Sequence, residues 1–132
     1  MNKEDKSLLV KDLCARLPYN VMCQVEFKED GKYNSKVMLL SGIFTDEAYF
    51  TTKGGSVYSN EYKPYLFPLS SMTEEQYEEL YIDSRVKNDS IDILDALAND
   101  MDAIDWLNKN HFDYRDLIEK RLAIDATNLN IY

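Results

Sequence analysis

Lys63-Pro64-Tyr65-Leu66-Phe67-Pro68-Leu69-Ser70-Ser71-Met72 divides this chain. Text with the period of strands lies before it, and text with the period of helices lies after it. Its two prolines favour an extended, polyproline-like path. Tyr62, Tyr65, Leu66, Phe67 and Leu69 give that path the side chains to dock as a strap. The division also splits the charge. Residues 1–72 hold nine Lys/Arg and nine Asp/Glu, whereas residues 73–132 hold six and fifteen, so the whole net charge of −9 falls in the second half. The reading is one α+β domain. A helix and a small curved antiparallel sheet of the SH3- or Sm-like barrel type occupy 1–60, the connector 61–72, acidic helices 73–125 and a loose tail 126–132.

Upstream of the connector, Leu9, Leu13 and Leu17, with Val10 and Cys14 beside them, predict an amphipathic helix over 5–17 that Pro18 ends. Val21, Cys23, Val25 and Phe27 alternate with Met22, Gln24, Glu26 and Lys28, the pattern of a half-buried strand. Glu29-Asp30-Gly31-Lys32 reads as a turn. Residues 36–45 are apolar on both faces, which predicts a central strand or one bent at Gly42. Hairpins at Thr45-Asp46-Glu47 and Gly54-Gly55 lead into Ala48–Thr52 and Ser56–Ser59.

Downstream, Thr73 with Gln76 forms a capping box, and Met72 with Tyr77 forms a hydrophobic staple. Glu74 and Glu75 then sit where the helix dipole favours negative charge. Residues 83–89 read as a polar link. Residues 90–109 read as one helix, or two with a break near Asn99-Asp100. Trp106 and Leu107 fall off its apolar stripe, which predicts a bend or a second contact surface. Asp113 is placed to cap a last helix from Tyr114 to about Ala123, with Leu117, Ile118 and Leu122 inward.

At 132 residues, with 45% hydrophobic and 30% charged residues, the chain needs neither metal nor disulfide to bury a core. No apolar run is long enough for a membrane span, and the first residues lack the apolar core of a secretory signal. The expected location is cytoplasmic, with Cys14 and Cys23 as buried thiols. Direct nucleic-acid binding is not expected, because clustered Lys/Arg are lacking. No Cys-x-x-Cys, His-Glu-x-x-His or phosphate-binding glycine pattern occurs, so no cofactor and no metal is expected. Asp100-Met101-Asp102 resembles the start of an EF-hand loop without its glycine and closing glutamate.

Two sets of side chains compete for a functional role. Asp89, Asp92, Asp95, Asp100, Asp102 and Asp105 form a ladder suited to a solvated helix face or to docking a basic protein partner. Tyr49, Tyr58 and Tyr65, with His111, are the candidate lining of a small-molecule or nucleotide site at the mouth of the sheet. His111, the only histidine, reads first as a C-cap donating to a helix carbonyl, and third-ranked as a base paired with Asp113 or Asp105.

Residues 63–75, Lys63-Pro64-Tyr65-Leu66-Phe67-Pro68-Leu69-Ser70-Ser71-Met72-Thr73-Glu74-Glu75, and residues 105–120, Asp105-Trp106-Leu107-Asn108-Lys109-Asn110-His111-Phe112-Asp113-Tyr114-Arg115-Asp116-Leu117-Ile118-Glu119-Lys120, are together similar to an uncharacterised family of small proteins carried by gut-bacterial phages and mobile elements. The family pattern has a basic residue where this chain has Phe67, and glycine where it has Asp116 and Arg121. The resemblance implies a mobile-element setting and supplies no activity. The residues themselves read as a non-enzymatic acidic interaction protein. The alternative is a small-molecule or nucleotide-binding, sequestering domain.

Overall fold

The computed structural model describes residues 2–44, 47–84 and 101–132. The class is mixed α+β. Helix α1 spans Lys3–Arg16, and Asn2 opens it by accepting from the Asp5 amide at 2.7 Å. A 3₁₀ turn at Leu17–Tyr19 follows, and left-handed Asn20 turns the chain into the sheet. Strands β1 (Met22–Glu29), β2 (Lys32–Ile43), β3 (Ala48–Thr52) and β4 (Gly55–Ser59) form an antiparallel meander. As the two-faced apolar pattern predicts, β2 is central, and its register shifts between Leu40 and Gly42.

The connector is not a strap. Glu61–Pro68 is strand β5, antiparallel to β1 with Cys23 opposite Pro64 and Glu26 opposite Glu61. Beyond Pro64 it also pairs, in parallel, with two short strands, β6 (Phe112–Asp113) and β7 (Ile124–Asp125). The result is a mixed sheet of order β4-β3-β2-β1-β5-β6, with β7 also on β5. That path is open, so the pairing does not close a barrel. Prolines at 64 and 68 are compatible with a strand because each lacks a donor where no neighbour asks for one.

Met72 ends a further 3₁₀ turn, Leu69–Ser71, and helix α2 runs Glu74–Ser84. Its capping box forms as the sequence predicts. The Thr73 amide donates to Gln76 Oε1 at 2.9 Å, and the Gln76 amide to Thr73 Oγ1 at 3.2 Å. Helix α3 spans Met101–Lys109. The predicted link at 83–89 and most of the predicted helix from 90 lie outside the described residues.

Two apolar clusters hold these elements. One joins Leu9 and Leu13 of α1 to Val21, just before β1, and to Cys23, Val25, Met38, Leu40, Phe50 and Leu66 of the sheet. The other joins Met72, Leu80, Ala103, Trp106, Leu107 and Phe112. Trp106 and Leu107 therefore face a second contact surface, with the indole stacked on Phe112 at 5.7 Å. Each fully buried aliphatic side chain adds about 1.5–3 kcal/mol.

Three further expectations are corrected. Cys14 is exposed, because α1 buries Asp12 and Arg16 alongside Leu9 and Leu13. The last helix does not form. Asp113 does cap the segment, its carboxylate accepting from the amides of Arg115, Leu117 and Ile118. Yet Asp116 (φ 58) and Arg121 (φ 63) are left-handed, so one turn is bracketed by two reversals. Finally, the tail is docked. The Ala126 amide donates to the Leu66 carbonyl at 2.8 Å, and the Tyr132 hydroxyl donates to the Tyr65 carbonyl at 2.7 Å.

Candidate functional site

The α1 stripe carries the strongest electrostatics in the described residues. Asp12 and Arg16 are both fully buried, joined at 2.7 and 3.2 Å. Arg16 also donates to the Phe112 carbonyl at 2.6 Å, and Arg115 donates to Asp12 at 3.2 Å. Both guanidinium groups lie over the Tyr114 ring, at 5.2 and 5.0 Å. The Arg115 side chain thus reaches the buried Asp12 from the far end of the sequence.

His111 sits on the same side of the molecule. It takes the left-handed position after α3 (φ 64), and its amide donates to the Asn108 carbonyl. The side chain that reaches back to the Trp106 carbonyl is that of Asn110, at 2.9 Å. The imidazole stacks on Tyr132 at 3.7 Å, with Nδ1 buried and unpartnered among the described residues. Burial, and then the Arg16 charge, push its pKa down to about 4. Neither expected carboxylate partner reaches it. Asp113 is spent on backbone amides, and Asp105 accepts from the Tyr19 hydroxyl. That bond holds the Tyr19 phenol above its usual range.

Of the aspartate ladder, Asp89, Asp92, Asp95 and Asp100 lie outside the described residues. Asp102 falls in α3, and Asp105 is exposed on it. The described acidic surface is Glu74, Glu75, Glu78 and Glu79 of α2, a helix whose sequence also holds Asp83 and no basic residue. Among the described residues the ion pairs both go to Asp12. Glu79 accepts from the Trp106 indole at 3.1 Å, while Glu74, Glu75 and Glu78 are exposed and make no ion pair with another described residue.

The tyrosines divide. Tyr49 and Tyr58 are register partners with rings 4.9 Å apart, and Phe44 leans on Tyr58 at 5.7 Å. Phe44 and Tyr58 are 55% and 56% exposed, an aromatic patch on the outer side of β3 and β4. Tyr65 is elsewhere, buried, donating to Gln24 Oε1 at 2.5 Å. The structure thus brings Tyr49 and Tyr58 together, and leaves Tyr65 and His111 apart from them.

Sequence reasoning missed a cleft of about 830 Å³ between the first turns of α1, the start of β5 and the segment leading into β7. Leu9, Tyr62, Leu122 and Ile124 are its apolar members, and the exposed Lys63, Lys120 and Arg121 also line it. Its residues come from four separate stretches, so no motif announces it. Among the described residues no three His, Cys, Asp or Glu groups converge as metal ligands. No helix of the described residues is long and apolar enough to cross a membrane. Comparison with family models, with curated proteins and with solved structures finds no match.

Proposed function

We propose that this chain is an interaction protein with no reaction of its own, and that it docks a basic protein surface through its acidic helical part. The observation that carries the reading is α2: five acidic groups, no basic one, and no ion pair to any of its glutamates among the described residues. Unneutralised carboxylates on one face create a field that steers and retains a positively charged partner. The phage or mobile-element setting belongs to the same proposal and rests on the resemblance of residues 63–75 and 105–120.

The barrel-type reading of the meander is likewise part of the proposal. It is supported by Ser59 at the end of β4, whose hydroxyl donates to the Glu26 carbonyl of β1 at 2.5 Å. That contact curls the far strand of the meander back toward the first.

Capture from host lysate at about 50 and 500 mM salt, with wild type and a Glu74→Gln/Glu75→Gln/Glu78→Gln variant, tests the docking. Basic proteins retained at low salt and lost both at high salt and in the variant are expected. Capture indifferent to salt, or no difference between the two proteins, overturns it.

A further inference from the structure

We infer that the cleft beside β5 receives an extended peptide, which adds as a short strand to the open edge of β5 at Glu61–Pro64 and alternates apolar side chains with carboxylates. This uses no α2 residue and goes beyond the acidic docking.

The edges of β5 can be assigned from one peptide plane. The Leu66 carbonyl accepts from Ala126 and the Phe67 amide donates to His111, each at 2.8 Å. A carbonyl and amide of one peptide point opposite ways, so β7 and β6 flank opposite edges of β5. The Tyr65 carbonyl belongs to the β1–β6 edge, where Tyr132 takes it. Alternation along the strand then turns the Tyr62 amide and carbonyl, and the Pro64 carbonyl, toward the β7 edge. Pro64 fits this assignment, since the donor it lacks would have pointed the same way.

β7 covers that edge only at Tyr65 and Leu66. Its approach turns at left-handed Arg121, so among the described residues no strand pairs beside Glu61–Pro64, where the cleft lies. Four residues of guest strand need about 13 Å. A backbone there would give the Tyr62 groups strand partners, as in other cases of strand addition to a sheet edge.

Side-chain chemistry follows from the two sides of the lane. Half-buried Ile124, beside the edges of the buried Leu9, Tyr62 and Leu122, offers apolar contact to guest residues pointing inward. In the whole chain acids outnumber bases 24 to 15. The cleft departs from that excess, because Lys63, Lys120 and Arg121 alone match its three carboxylates. Glu61 directly opposes Glu26, so a guest carboxylate belongs beside Lys63 and the Lys120–Arg121 wall.

The test is to titrate the ¹⁵N-labelled full chain with a blocked seven-residue peptide of alternating valine and glutamate. At saturation, exchange of the Tyr62 amide should slow about tenfold. A valine–lysine peptide, and the exposed-site variant Lys120→Glu with the first peptide, should each bind about tenfold more weakly. An unprotected Tyr62 amide, shifts centred on β4, equal binding of the lysine peptide, or the same shifts from free glutamate alone would each overturn the inference. A Glu75→Gln/Glu78→Gln variant should bind the peptide as wild type does, so this result and the docking result can fail separately.

Discussion

Asp12 and Arg16 lie four residues apart on α1, and they show how a charged pair can stand inside an apolar stripe. The hydrophobic pattern alone places Val10, Cys14 and Leu17 on the buried face with Leu9 and Leu13. The observed face is Leu9, Asp12, Leu13 and Arg16, with Cys14 outward. A carboxylate and a guanidinium can be buried together when their remaining hydrogen-bonding capacity is met. Here the Phe112 carbonyl and Arg115 meet most of it, and Arg16 Nη1 is left over. Asp12→Ala should therefore cost about 3–5 kcal/mol, because two guanidinium groups lose their shared anion. The double variant Asp12→Leu/Arg16→Met should cost less than Asp12→Ala. Urea unfolding of the three proteins checks both statements. No local signal in the sequence marks this pair, since its other partners lie about a hundred residues downstream.

At the scale of elements, the sequence discloses what local chemistry decides and hides what distant pairing decides. The capping box of α2, the alternation of β1 and the centrality of β2 are all legible, because each depends on neighbours in the chain. β5 reads as a strap because its prolines speak for polyproline geometry, and only its long-range partners make it a strand. The segment after Asp113 reads as a helix because the cap and the apolar spacing are both present. Asp116 and Arg121 defeat that reading by adopting left-handed backbone. Glycine reaches that region without steric cost, so Arg121→Gly should raise stability by about 0.5–1 kcal/mol in thermal unfolding. The tail was equally hidden. The Tyr132 hydroxyl accepts from the Met22 amide at 2.9 Å while donating to the Tyr65 carbonyl, which bridges β1 and β5 beyond their direct pairing. Tyr132→Phe leaves both backbone groups short of a partner and should cost about 1–3 kcal/mol. Faster exchange of the Met22 amide would locate the damage. Of the candidate sites, the acidity of α2 was legible from composition, and the cleft was not, because it assembles only when β5 and β7 pair.

For the whole molecule, His111 sets a direction for acid behaviour. Its folded pKa of about 4 lies below the ordinary value of 6.5, so the unfolded chain binds the proton more readily between those limits. The stability this neutral imidazole contributes is complete above about pH 6.5 and is lost as pH falls toward 4. Unfolding free energy should decline across that window by about 1–3 kcal/mol. His111→Asn, which tolerates left-handed backbone, should flatten that part of the profile. An unchanged slope in the variant would assign the acid sensitivity to carboxylates instead. Such a loss is separate from the docking proposed for α2, which uses no contact of His111.

The pairing of β5 also governs how quickly the chain can find its native state. The meander from β1 to β4 joins neighbours through short turns, and closing such loops is fast. β5 must instead meet β1 across the length of that meander, and then wait for β6 and β7 from dozens of residues further on. The loop-closure entropy is spent before those contacts return anything. Stopped-flow refolding should accordingly show the meander protected from exchange early and the β5 amides last, which leaves a transient intermediate with an unfinished sheet edge.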